Sequence, residues 1–312
     1  MGASPSGPIA EASPVPPGPP SGSAPLELLP GSRRLLELHA RELPQRDDLC
    51  GAFCGSLALR ATGIETFDGQ TLDQDAVALA AGSVVSASPH TDILPFGERG
   101  RRDYSVAVPT VEDQSLSGTS AAGLLDALGH LGGGAAEAIP LAGPWSAATL
   151  DALFRVAAAS SEPVVLIANH HTGYLWGSHP SALQLADYLC GHDCEGPPPD
   201  WRVGHFACVV GRLGGARGRF LYLVADTYPA LGDRGVHLQP SERLAASLQR
   251  REHPSGGIIV LAPASAARAL ERPLAAIALE RRIWDNGSAA SPAAPTEPAA
   301  SPEPAEPASP AD

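Results

Sequence analysis

Between Pro30 and about residue 285, the spacing of apolar and polar positions changes along the chain. PGSRRLLELHARELP sets Leu35, Leu36, Leu38, His39 and Leu43 at helical intervals before Pro44, which predicts a short amphipathic helix. LCGAFCGSLALRATG is small and apolar throughout, as suits a buried helix, and Gly63 ends it. Gly51 and Gly55 inside it each cost about 1 kcal/mol relative to Ala, so close approach of another element is expected there. TLDQDAVALAAG continues at helical spacing behind a Thr cap. SGTSAAGLLDALGHLGGG is a further helix, capped by Thr119 or Ser120, with Leu124, Leu125 and Leu128 inward and glycines at its end. SAATLDALFRVAAASS is another.

The later pattern is of strands. YSVAVPTV reads as a strand and EPVVLIANH as a buried one, an apolar run of strand length rich in Val and Ile. HFACVVGRL and RFLYLVADTYP form a hairpin across GGARG, and SERLAASLQRR is a helix before a last strand, GGIIVLAP. Helices first and an antiparallel sheet later predict an α+β fold.

Composition sets the limits of the folded part. The chain has 33 Gly and 32 Pro, and much of the proline lies in segments at both ends that hold almost no large apolar side chains. Such segments bury too little surface to offset the entropy of ordering. The expected organisation is a disordered Pro/Gly-rich stretch at 1–30, one domain over 31–285, and a disordered acidic Pro/Ala-rich tail at 286–312. The formal net charge of -13 argues against binding nucleic acid or an anionic membrane through a basic surface. No run of about 18 apolar residues is present, and no charged region precedes an apolar stretch at the N-terminus, so a cytoplasmic protein is expected. All 21 basic residues are Arg, which we read as the codon bias of a GC-rich bacterial genome.

The five cysteines, Cys50, Cys54, Cys190, Cys194 and Cys208, are too few and odd in number for a disulfide scaffold. Cys50/Cys54 and Cys190/Cys194 share a four-residue spacing, which keeps a zinc or redox role open, although C-x3-C is a weaker signal than C-x2-C. Cys208, inside a strand, is read as a small core residue. Cys50 stands at the tip of the apolar helix, where peptide dipoles favour a thiolate. A nucleophilic thiol also needs a base, a group to orient the base, and oxyanion donors. His205 enters a long apolar strand and Asp226 ends the next one, so antiparallel pairing makes them neighbours. A capping histidine and a turn aspartate are the plainer alternative. Gln45, just upstream, offers a side-chain N–H beside the backbone N–H of Cys50.

In order along the chain stand Gln45, LCGAFC with Cys50, GTSAAGLLDALGHLG, EPVVLIA, GHFACVV with His205, and YLVAD with Asp226. This series, over about residues 45–240, resembles papain-like cysteine peptidases of the bacteriocin-processing, double-glycine-leader type, as a stand-alone and divergent example. The resemblance implies a papain-like fold, with N-terminal helices carrying the Cys packed on an antiparallel sheet carrying His and Asp. It implies Cys50 as nucleophile, His205 as general base and acid, Asp226 as orienting group, Gln45 as oxyanion donor, and Cys54 as a packing residue. The substrate implied is a peptide or protein, with no metal or cofactor. The chain departs from the pattern at Leu49, where the family usually has Asp, and in the insert around His170, His171, Trp176, His179, His192 and Trp201, which is either a wall of the cleft or a surface excursion. Two further readings stand beside thiol catalysis: an inactive papain-like binding module, and a metal or redox protein using Cys50, Cys54, Cys190 and Cys194.

Overall fold

The computed structural model describes residues 25–89, 94–250 and 255–289. Eleven strands and eight α-helices run through these residues. Chain order begins with β1 (Leu26–Leu28), α1 (Ser32–Glu42), α2 (Cys50–Ala61), β2 (Thr66–Phe67), β3 (Gln70–Thr71) and α3 (Gln74–Ala80). It continues with β4 (Val85–Ser86), β5 (Thr110–Val111), α4 (Ala121–Gly132), β6 (Ala136–Leu141), α5 (Ala147–Ala158) and β7 (Val165–His171). The last part holds α6 (Ala182–Leu189), β8 (Gly204–Gly214), β9 (Phe220–Ala225), β10 (Val236–Pro240), α7 (Ser241–Gln249), β11 (Gly257–Pro263) and α8 (Ala264–Ala275).

One seven-stranded sheet organises the molecule, in the order β10-β9-β8-β7-β11-β6, with β1 also on β8. All of its pairings are antiparallel. Helices cover both faces. Val165, Ile167, Ile259 and Leu261 pack with α1 to α4, while Leu166, Ala168, Ile258 and Val260 pack with α5, α7 and α8. A sheet buried on both sides needs no polar alternation, which is why EPVVLIA and GGIIVLAP read as continuous apolar runs. The observed protein is therefore mixed α and β around an antiparallel sheet.

The expected hairpin is β8–β9, with Cys208 opposite Ala225 and a bulge between Val209 and Gly211. Before it, β8 pairs with β7; beyond it, Leu28 pairs with Gly211 and the Leu29 N–H donates to the Val210 carbonyl at 3.0 Å. The two α2 glycines are required as expected. A Cβ on Gly51 would stand 2.9 Å from Thr119 Cβ, and one on Gly55 would stand 2.8 Å from Leu124 Cδ1.

Local expectations are corrected in several places. YSVAVPTV contributes only Thr110–Val111, paired parallel with Val85–Ser86, because Pro109 has no N–H to continue a ladder. Asp73, not Thr71, caps α3 by accepting from Asp75 N and Ala76 N at 3.0 and 2.9 Å. At α4 the cap is Ser120. Strands β1 to β4, β6 and β10 and helices α6 and α8 are not announced by the apolar pattern. Three of them carry a proline: Pro140 and Pro240 lie on edge strands, and Pro273 in the last turn of α8.

Of the expected flexible ends, residues 1–24 and 290–312 lie outside the described residues. The neighbouring parts are built into the domain: Leu26–Leu28 pairs with β8, and Asn286 and Ser288 hydrogen-bond to Thr119 and Ser117. Among the described residues no helix is long and apolar enough to cross a membrane.

Candidate active site

Cys50 is the first residue of α2, half-buried at its tip. Leu49 before it has no side-chain acceptor and is fully buried in the core, so the first-turn N–H groups receive no side-chain cap. Gly51 lets this end of the helix lie flush against Thr119 and Phe206. Cys50 opens into a cleft of about 320 Å³, whose lining includes Gln45, Asp48, Thr119, Asn169, Trp201 and His205. A larger hollow of about 730 Å³ beside α3 and α4 holds Asp126 and His130 but no thiol.

His205 sits at the start of β8, and Asp226 directly follows β9. Their side chains meet at 2.9 Å, Nε2 to Oδ1, with both residues almost fully buried. A carboxylate only accepts, so Nε2 carries the ring proton and donates it. Nδ1 is then the ring nitrogen left free of Asp226, and His205 shares the lining of the cleft with Cys50. Burial works against a charged imidazole here. The Asp226 charge, the Asp226 hydrogen bond and the Cys50 contact outweigh it and push the His205 pKa up to about 10. Asp226 is likewise opposed by burial, but His205 and then His237 hold its carboxyl well below the usual carboxylate range. Around the imidazole, Tyr228 stacks at 6.5 Å between ring centroids and Trp201 meets its edge at 4.9 Å.

The lead-in to Cys50 is held by the segment that follows α3. Asp47 and Arg101 are joined twice: Asp47 N donates to Arg101 O at 2.8 Å, and Arg101 N donates to the Asp47 carboxylate, Oδ1, at 2.9 Å. Tyr104 donates to Asp47 O at 3.1 Å. Asp48 takes a left-handed conformation, φ 65°, and its carboxylate accepts from Ser86 N and Ser117 Oγ. Gln45 is buried at the cleft, with its backbone N–H on Thr227 O at 3.0 Å. Its side-chain N–H donates to Arg46 O at 3.2 Å. Asp47 and Asp48 therefore tie the approach to Cys50 to the segments around Ser86, Arg101 and Ser117, and Leu49 anchors it in the core.

The other cysteines lie apart from this chemistry. Cys54 is one turn inside α2 and touches Cys208 in the core, and burial first, then that contact, pushes its thiol pKa up. Cys190 ends α6, and Cys194 donates to Gln184 O at 3.6 Å. Among the described residues no three His, Cys, Asp or Glu side chains gather as a metal site, so the four cysteines do not form the cluster that the metal reading needs. The insert supplies both of its expected roles. Trp201 and Val203 line the cleft, whereas His192 pairs outward with Asp187.

Three contributors escaped sequence reasoning. His39 bonds through Nε2 to the Asp226 carbonyl, and Thr227 N donates to Asp226 Oδ1 at 2.7 Å. His237 reaches Asp226 Oδ2 at 3.2 Å. The available signal lay in VHLQP, where two polar residues alternate with apolar ones inside a strand. His170 pairs with His205 across β7 and β8, and burial foremost lowers its pKa to about 3.

Fold and site together define a mixed α/β protein whose antiparallel sheet presents a buried His–Asp pair to a helix-borne cysteine. The chain belongs to a family of unknown function (DUF6885), whose model matches residues 29–285. No curated protein matches its sequence. Among solved structures it is similar to the proform of the Amb a 11 cysteine protease, a major ragweed pollen allergen, with 12% identity and a TM-score of 0.30. That match covers 78% of this chain and 66% of the other, just under two thirds of its length.

Proposed function

We propose that this protein is a thiol-dependent peptidase or amide acyl transferase of papain-like fold, a divergent relative of the double-glycine leader peptidases. Its substrate is a peptide or protein. The observation that carries this reading is the buried 2.9 Å His205–Asp226 bond behind the cleft into which Cys50 opens. Cys50 gives its thiol proton to His205 Nδ1, and the thiolate attacks a substrate carbonyl. Charge collects on the carbonyl oxygen, near the α2 N-terminus and Gln45. His205 returns the proton to the leaving amine as the C–N bond breaks, leaving an acyl group on Cys50. Water, or an acceptor amine, then attacks that thioester after giving a proton to His205, and the thiol is restored.

Iodoacetamide labelling followed by peptide mapping tests this. Cys50 is expected to react at mildly acidic pH at least tenfold faster than Cys54, and His205→Ala is expected to slow the labelling of Cys50 itself. Equal, slow labelling of both cysteines overturns thiol catalysis. It leaves the second reading, an inactive peptide-binding module, which is favoured by one observation: the Gln45 amide donates to Arg46 O, within its own loop.

A further inference from the structure

Asp226 has two carboxylate oxygens, and the proposed chemistry uses only the one facing His205. The other faces a buried chain of hydrogen bonds that runs away from the cleft along β10. Gln239 is fully buried and reads the Trp176 backbone in both directions. Its Oε1 accepts from Trp176 N at 2.9 Å, and its Nε2 donates to Trp176 O at 2.9 Å. A backbone N–H cannot accept and a carbonyl cannot donate, so the amide has one orientation. The same Nε2 lies 3.0 Å from His237 Nδ1. That nitrogen must offer a lone pair, which puts the single ring proton of His237 on Nε2. From there it points at Asp226 Oδ2, 3.2 Å away.

We propose that His237 and Gln239 are positioning residues of this site. The one-way chain Trp176–Gln239–His237–Asp226 holds the carboxylate so that His205 keeps its proton on Nε2 and turns Nδ1 to Cys50. This rests on the Cys50–His205 reading above. His237 and Gln239 are two apart on one strand, paired with Val224 and Tyr222 of β9, so they share a face, and both are buried. Without His237, Oδ2 is a buried anionic oxygen lacking its side-chain donor, and such a group costs more than an ordinary missing hydrogen bond. The carboxylate then takes a proton more readily, or rotates, and in either case holds the imidazolium less well. The charged and titratable groups facing this pair come from several elements: His39 of α1, Cys50 of α2, His170 of β7 with Arg250 behind it, and Tyr228. None of them bonds to Oδ2 among the described residues, so none replaces His237.

Two measurements test the proposal. Nitrogen-15 NMR of the histidine rings in the unaltered full chain is expected to show His237 with its proton on Nε2. A proton on Nδ1, or on both nitrogens at neutral pH, overturns the chain of bonds without touching the Cys50–His205 reading. The pH profile of Cys50 alkylation is the second. In His237→Leu the window of fast labelling is expected to narrow by about one pH unit at its alkaline edge, a tenfold change. His237→Gln, whose amide N–H reaches Oδ2, restores most of it. An unchanged profile in a folded His237→Leu overturns the proposal, and so does a loss that His237→Gln fails to repair at equal thermal stability. If His237→Leu does not fold, the NMR result decides. If the unaltered chain shows no preferential Cys50 labelling, thiol catalysis fails, while the tautomer of His237 still stands or falls by NMR.

Discussion

At the residue scale, burial and charge pull in opposite directions on His205 and Asp226, and charge wins for both. The consequence for stability has a definite sign. His205 carries an ordinary pKa of 6.5 when unfolded and about 10 when folded, so its contribution is fully present below pH 6.5 and fades as pH rises toward 10. Asp226 is the reverse: its contribution is present above the normal carboxylate range and is lost as acid titrates it. Between pH 6.5 and 9 the unfolding free energy is expected to fall by up to about 1.4 kcal/mol per pH unit from His205 alone. Asp226→Asn removes the negative partner and should flatten that slope, read from urea unfolding at several pH values. A slope that survives the substitution would assign it to other groups.

At the element scale, α2 is placed by its small residues. Gly51 and Gly55 break helix propensity, yet each lies where a Cβ meets a neighbouring side chain at 2.9 or 2.8 Å. Gly129 on α4 is the contrast, exposed and with open space around it. Gly51→Ala is expected to destabilise by about 1–3 kcal/mol through overpacking and to slow Cys50 labelling as the helix tip shifts. Gly129→Ala is expected to stabilise by about 0.5–1 kcal/mol. Thermal melts of the two variants in opposite directions would establish that tertiary approach, not helix propensity, selects glycine in α2. The hairpin and the first helices were legible because their periods are local. Strands β6 and β10 were not, because edge position alone makes their prolines acceptable.

At the scale of the whole molecule, the segment after α8 closes the core. Trp284 is buried over Gly257, and its ring N–H donates to Asn169 Oδ1 at 3.0 Å. Asn169 in turn lines the cleft and donates to the His205 carbonyl at 3.3 Å. The two residues that follow closely, Asn286 and Ser288, also line the cleft. Trp284→Ala is therefore expected to cost about 3–5 kcal/mol in denaturant unfolding. It should also raise the exposure of Asn169 in hydrogen exchange. A variant as stable as the unaltered chain would show that this segment only rests on the domain.

By itself, the order of residues determined the α+β class, the core strands, the Cys50 helix and the four candidates Gln45, Cys50, His205 and Asp226. Those follow from local periodicity and from hairpin geometry, both of which act over short stretches of chain. Only the tertiary structure decided what surrounds them. Leu49 proved a core residue, Asp47 and Asp48 became ties between distant loops, and His39, His170 and His237 converged on one His–Asp pair from three separate elements. Contacts across 187 residues, such as His39 to Asp226, leave no periodic trace, because sheet order and helix packing bring them together.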